Sequence, residues 1–252
     1  MVAAAKLLRP VGRKRTGLFL AEGANMVEAA LARGLVTDVY VTESAYSRFG
    51  ELLQTVPVHA AVHVVTDRAS KTLSDTVTPV GLVAVCSMPT PSLDDVLAGA
   101  PRLIAVAVET SEPGNAGTLI RLADAMGADA VVLAGHSVDP YNGKCLRASA
   151  GSIFALPVLE MTDTAALIGA LRAAGLQVLA TTLDGETSLD DADLRAPTAW
   201  LFGAEARGLA PDVAELADAR VCIPMSGRAE SLNVAAAAAI CLYESSRAPR
   251  RD

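Results

Sequence analysis

Side chains able to do chemistry stand just beyond apolar segments at three places in this chain. Ser231 and Asn233 sit at the mouth of a run, Val234 to Leu242, that contains no charge. The strand-like segment Val221–Ile223 stops at Pro224, and a loop carrying Gly227 follows. Ser231 or a neighbour is expected to cap the ensuing helix, because a short polar side chain accepts hydrogen bonds from free backbone N–H groups. Those same N–H groups favour a partly negative ligand, although a capped core helix with no ligand accounts for this segment on its own. Glu205 and Arg207 follow a second apolar run, Ala199–Phe202, which breaks at Gly203, with the loop closing at Gly208. Charges directly after a buried strand line crevices in α/β sheets, or are simply solvated at the strand exit. The third place follows Leu103–Val108. There Pro113 and Gly114 mark a turn, and Asn115 is a candidate helix cap. Leu119, Leu122, Ala123 and Met126 then share one helical face. Arg121 falls on a different flank, near the helix start, where the helix dipole disfavours a cation. That placement suggests an anionic partner such as phosphate, or a surface pair with Asp124.

The segments that must position these residues alternate in type. Strands are expected at 103–108, 130–134, 177–182, 199–202 and 221–223, and helices at 116–126, 164–173 and 231–247. Such alternation implies an α/β fold, a mostly parallel sheet with helices on both faces. Thr187 to Leu194 is polar and irregular, and no GxGxxG follows a strand, so a dinucleotide site has no support. The N-terminal part alternates too. Strands are expected at 17–22, 39–42, 62–66 and 81–86, and helices at 24–33, 44–55 and 69–73. The Pro/Ser stretch Ser87–Asp95 is the best boundary, which gives residues 1–90 as one domain, 91–100 as a linker and 101–252 as a second domain.

The 252 residues are 52% apolar, 19% charged and 4% aromatic, so the core must be built from Ala, Val and Leu. No apolar run reaches the roughly 18–20 residues of a membrane span, and the N-terminus lacks the features of a secretory signal. Cys86, Cys145, Cys222 and Cys241 have no CxxC spacing. With His59, His63 and His136 as the histidines, no metal pattern emerges. Cys86, Cys222 and Cys241 read as buried thiols, which fits a reducing cytoplasm. His136 stands after the strand at 130–134 as a structural loop residue or a substrate contact. The net charge of −7 argues against indiscriminate nucleic-acid binding, but it is unevenly spread. Residues 1–90 hold 9 Lys/Arg against 7 Asp/Glu, and residues 91–252 hold 12 against 21. Residues 1–21 carry Lys6, Arg9, Arg13, Lys14 and Arg15 with no acid. Such a cluster can neutralise phosphates, or form a solvated tail.

Taken together, the three segments resemble the SpoU (TrmH) family of RNA 2′-O-ribose methyltransferases, of the SPOUT superfamily. The matching residues are Asn115, Gly117 and Arg121, then Phe202, Gly203, Glu205, Gly208 and Leu209, then Ile223-Pro224-Met225 with Glu230-Ser231-Leu232-Asn233-Val234. Between the first two, Tyr141-Asn142, Lys144 and Arg147 to Gly151 look like the family's connecting stretch. The resemblance spans about residues 100–247. More loosely, Phe19–Gly23 and Ser74–Leu82 resemble the family's substrate-binding domain of ribosomal-protein-like fold. Glu22 there is an RNA-facing residue or, preferably, a strand-end charge.

The resemblance implies methyl transfer from S-adenosylmethionine to a ribose 2′-hydroxyl without a metal. It also implies a C-terminal domain tied in a trefoil knot and a homodimer formed through that domain, in which a partner can complete each site. The cofactor site would be built by Leu201, Phe202, Gly203, Ile223, Met225, Ser231, Leu232 and Asn233, chiefly through backbone. Gly203, lacking a Cβ, would let the main chain approach the adenosine. Asn115, Arg121, Glu205, Ser231 and Asn233 would form the catalytic set. A guanidinium stays charged, so Arg121 is better suited to binding phosphate and stabilising a developing alkoxide than to acting as a base. Arg9, Arg13, Lys14, Arg15 and Arg147 are the candidate RNA contacts. Ribosomal (23S) RNA is the preferred substrate. The alternatives are transfer RNA methylation and a non-catalytic RNA-binding or ribosome-assembly role.

Overall fold

The computed structural model describes residues 1–205 and 207–248. In chain order, the N-terminal elements are α1 (Val2–Ala5), α2 (Pro10–Thr16), β1 (Leu18–Glu22), α3 (Ala24–Ala32), β2 (Val36–Thr42), α4 (Glu43–Arg48), α5 (Gly50–Gln54), β3 (Ala61–Val65), α6 (Asp67–Lys71) and β4 (Leu82–Ser87). There follow α7 (Leu93–Ala98), β5 (Leu103–Val108), α8 (Pro113–Ala125), β6 (Ala130–Ala134), α9 (Gly143–Ser149), β7 (Val158–Met161) and α10 (Thr164–Ala173). The last elements are β8 (Gln177–Thr181), β9 (Thr187–Ser188), β10 (Thr198–Phe202), α11 (Pro211–Ala214), β11 (Ala219–Cys222) and α12 (Val234–Arg247). Among the described residues, no helix is long and apolar enough to cross a membrane.

Two compact units result: Met1–Thr90 with Tyr141–Phe154, and Pro91–Pro140 with Ala155–Asp252. The boundary at Thr90/Pro91 falls inside the expected Pro/Ser stretch, but the expected linker is structured. Ser92 Oγ accepts from Asp95 N to cap α7, and Leu93, Val96 and Leu97 pack against the core of the second unit. Tyr141–Phe154, which the sequence assigned to the C-terminal domain, belongs to the first unit instead. Burial explains this, because the Tyr141 and Phe154 rings lie 4.8 and 5.9 Å from that of Phe19 on β1.

In the first unit a mixed sheet has the order β1-β4-β2-β3. The expected single helix over 44–55 is two short ones, the first capped by Thr42 and the second beginning at Gly50. The N-terminal tail is helical rather than frayed. Ala4 and Leu7 join a core cluster, and at Gly12 a Cβ would strike the Lys6 carbonyl. Arg13 is only 2% exposed, and its Nη1 donates to the Leu7 carbonyl at 2.8 Å.

The second unit is built on a seven-stranded sheet of order β7-β6-β5-β10-β8-β11-β9, parallel at every pairing. Its strands β5, β6 and β10 are buried at every residue because both faces are covered there. Ile104, Val106, Val132, Val178 and Leu201 share one core cluster with Leu167, Ile168 and Leu171 of α10. The alternate residues turn to the other side. There Trp200 Nε1 donates to Ser245 Oγ of α12 at 2.8 Å, and α12 packs along α8, on which Gly117 is buried as Ala238 is on α12. Cys86, Cys145 and Cys241 are buried free thiols, whereas Cys222 is half-buried. Burial pushes the Cys86 and Cys241 thiols up to about 12.

Candidate active site

The carboxyl ends of the central strands carry the chemistry-bearing loops. β5 runs into a tight turn at Glu109, whose φ of 54° is unusual for a residue with a side chain. The turn is braced from the neighbouring strand exit. Glu109 Oε1 accepts from His136 N at 3.1 Å, and Ser137 Oγ accepts from Thr110 N at 3.0 Å while donating to the Ala134 carbonyl. His136 therefore serves this brace through its backbone, and its side chain is exposed. The brace aims the chain into α8. Glu112, not Asn115, occupies the cap position, Pro113 begins the helix, and Asn115 lies in the first turn. Proline at that point needs no partner for its missing N–H, which frees the Asn115 side chain for another task.

That task is set by α12. Its cap is Asn233, two residues after Ser231, and Asn233 Oδ1 accepts from Ala235 N at 2.9 Å and Ala236 N at 3.4 Å. The same side chain turns its Nδ2 to Glu205 Oε1 at 2.5 Å and to Asn115 Oδ1 at 3.4 Å. One amide thus joins three segments separated by 118 and 28 residues in sequence.

Glu205 is held by a loop that folds back on itself. Gly208 N donates to the Ala204 carbonyl at 2.7 Å, and a Cβ on Gly203 would collide with the backbone of Gly208 and Leu209. Gly203 is therefore required by the loop's own return, which differs from the expected close approach to a ligand. Beside Glu205 opens a cavity of about 590 Å³. Its walls include Gly203, Glu205, Leu209, Ile223, Met225, Ser231, Leu232 and Val234. Leu201, Phe202 and Asn233, expected to line the site, are not among its walls. Leu201 and Phe202 are fully buried strand residues, so lining begins where the strand ends, and Asn233 is turned to the α12 cap and Glu205.

Arg121 is not part of the hydrogen-bonded cluster. It is exposed on α8, about 9 Å along the helix axis from Asn115, and has no hydrogen bond or ion pair among the described residues, Asp124 included. Sequence reasoning missed the far wall, where Thr181, Thr182, Leu183, Asp184, Glu215 and Arg220 line the cavity. The signal was present in Leu183-Asp184-Gly185 after an apolar strand, the same pattern that singled out Glu205.

Residues 102–243 match the SpoU rRNA Methylase family. The chain belongs to this family. Residues 3–84 match the MRM3-like substrate binding domain. The 23S rRNA (guanosine(2553)-2′-O)-methyltransferase RlmP of Bacillus subtilis (strain 168) is 35% identical over 232 residues, covering 92% of this chain and 89% of that protein. A 23S rRNA (uridine(2479)-2′-O)-methyltransferase of Streptomyces viridochromogenes is 35% identical over 243 residues, covering 93% and 84%. Among solved structures, the SpoU methyltransferase AviRb from S. viridochromogenes in complex with AdoMet superimposes with a TM-score of 0.86. It is 34% identical, and the match covers 97% of this chain and 95% of that one.

Proposed function

We propose that this protein transfers the methyl group of S-adenosylmethionine to a ribose 2′-hydroxyl of ribosomal RNA, in the 23S molecule. The observation that carries the reading is the meeting of Asn115, Glu205 and Asn233 beside one cavity, in a SpoU-family chain. The cavity suits the cofactor. Its volume lies in the range of small-molecule sites, apolar walls at Leu209, Val221 and Val234 suit an adenine, and the Thr182 hydroxyl on its wall is buried without a hydrogen-bond partner among the described residues. Among the described residues, no cluster of His, Cys, Asp or Glu could hold a metal.

The cofactor supplies a methyl group already activated by a sulfonium, so the chain's task is alignment and charge management. Asn233 fixes the Glu205 carboxylate and the Asn115 amide in one arrangement. Ser231, Leu232, Ile223 and Met225 enclose the cavity from the last loop. Arg121 supplies a permanent positive charge for the phosphate beside the target ribose and for the oxygen that becomes negative in the transition state. Gly203→Ala is expected to abolish cofactor binding, because the loop bearing Glu205 cannot close over an added methyl group. Titration calorimetry with S-adenosylhomocysteine reads this directly, and wild-type affinity would refute the role of the loop.

Residues 1–90 would act as the RNA-binding domain. Arg9, Lys14 and Arg15 are exposed and available to phosphates, whereas buried Arg13 ties α2 to the preceding turn at Leu7 and is withdrawn as a contact. Arg147 pairs with Asp75 within the first unit, and a phosphate would have to compete with that carboxylate. Glu22 accepts from Ser74 and Thr76 hydroxyls, which favours its reading as a strand-end anchor. Replacing Arg9, Lys14 and Arg15 together by Gln is expected to weaken RNA binding and flatten its salt dependence, with about one unit of slope lost per lost phosphate contact. An unchanged slope would remove the cluster from the interface.

The reading includes a homodimer, supported by Ile240 and Tyr243 standing exposed on α12. It also includes a knot near the β10-β8-β11 strand ends, and a cytoplasmic setting. The decisive experiment maps ribose methylation in RNA from cells with and without the gene. One 23S position that loses its methyl group, and regains it with purified protein and cofactor, is expected. Loss in transfer RNA, or cofactor binding with no RNA methylated, would overturn the assignment.

A further inference from the structure

The far wall of the cavity is organised around a fixed cation. Arg220 Nε donates to Glu186 Oε2 at 2.9 Å, and its backbone N donates to Glu186 Oε1 at 3.2 Å, so one carboxylate grips both ends of the residue. Backbone hydrogen bonds, first from its own amide and then from that of Arg220, hold the Glu186 carboxyl below its usual range. Gly185 lies so close to β11 that a Cβ would meet Cys222 N at 2.6 Å, which fixes the path of the loop. Within this braced loop, Asp184 is 81% exposed, and its carboxylate stands 3.9 Å from the Arg220 guanidinium. Thr182, two residues earlier on the same wall, has the partnerless hydroxyl.

Along the carboxyl edge of the sheet, Asn115 follows β5, Glu205 follows β10 and Asp184 follows β8, on successive strands. With strands about 4.8 Å apart, Asp184 stands one strand from Glu205 and two from Asn115, on the side away from the catalytic cluster. A ligand reacting at that cluster would present its non-reacting portion to Asp184. A carboxylate can read either an ammonium group or a pair of hydroxyls. Arg220 is taken up by Glu186 at 2.9 Å and stands 3.9 Å from Asp184, which leaves the Asp184 carboxylate as an open acceptor, the arrangement by which acidic residues hold ribose hydroxyls in other α/β folds.

We propose that Asp184 is a specificity residue for the cofactor, accepting hydrogen bonds from the vicinal hydroxyls of its ribose, with the Arg220–Glu186 pair and Gly185 setting the path of the loop that carries it. The proposal rests on the cavity being the cofactor site. The test uses calorimetry on the full chain with 5′-methylthioadenosine, which carries the ribose but no amino-acid portion, and with its 2′,3′-dideoxy counterpart. Asp184→Ala is expected to lower affinity for methylthioadenosine about tenfold or more and to leave affinity for the dideoxy compound unchanged. Ser231→Trp, a bulky change on an exposed loop, is expected to abolish both. Equal affinity of wild type and Asp184→Ala for methylthioadenosine overturns the proposal, as does a loss confined to S-adenosylhomocysteine, which would mark an ammonium contact. If Ser231→Trp leaves binding intact, the cavity reading itself fails.

Discussion

Arg121→Ala is expected to lower methyl transfer by about a thousandfold while leaving the melting temperature and cofactor affinity at wild-type values. The fold loses nothing, because the side chain is exposed and has no ion pair or hydrogen bond among the described residues. The α8 dipole is indifferent to the change, because Arg121 is the ninth of its thirteen residues rather than close to its start as expected, away from both end turns. The cost falls on the reaction. As the 2′-oxygen attacks, negative charge grows on an atom next to a phosphate, and a permanently charged guanidinium answers both. Lysine keeps the charge but not the two-pronged geometry, so Arg121→Lys is expected to recover only part of the rate. Steady-state kinetics with an RNA fragment, beside calorimetry with S-adenosylhomocysteine, separates the two effects. Wild-type turnover by Arg121→Ala would refute the role. Mixing Arg121→Ala with Asn233→Ala decides whose site the arginine serves. Partial recovery of activity would show that it reaches across a dimer, and none would keep it within its own subunit.

The second large effect is expected at Asn233, where stability and catalysis can be separated. The side chain caps α12 through Oδ1 and orients Glu205 and Asn115 through Nδ2. Asn233→Ala removes both functions. Loss of the cap costs about 1 kcal/mol, and activity falls with it. Asn233→Asp keeps an oxygen that caps as well as asparagine does, and a carboxylate at a helix start is favoured by the dipole. It replaces the donated hydrogen bond with a second carboxylate facing Glu205. Stability near neutral pH is therefore expected to stay close to wild type, while methyl transfer drops about a hundredfold. Two facing carboxylates raise the pKa of one of them, so the residual activity of Asn233→Asp is expected to rise on acidification until the shared proton is bound. A fall in melting temperature equal to that of Asn233→Ala, or activity like wild type, would contradict this division of labour.

The local pattern of residues was enough to place most strands. Leu103–Val108, Ala130–Ala134 and 199–202 are unbroken apolar runs because a parallel sheet covered on both faces has no solvent side to mark. The short strand Val158–Met161 was missed. It has only two buried residues, with Glu160 exposed, and a four-residue run of that kind carries no readable period. Helix caps were misplaced by a few residues for a related reason. Asn115, Ser231 and Asn233 are all competent caps, and the choice among them depends on what each side chain meets across the fold.

The sequence by itself determined the α/β class, the division near residue 90, the residue types around the site and the family to which they belong, because these follow from local composition and from motif order along the chain. Only the tertiary structure decided that Asn233 rather than Ser231 joins Glu205 to Asn115, that Arg13 is interior while Lys14 and Arg15 are exposed, that Tyr141–Phe154 packs on Phe19, and that Asp184 and Arg220 face the same cavity as Glu205. Each of these depends on a contact between segments tens of residues apart, and such contacts are fixed by packing of the whole sheet and its helices rather than by any local period.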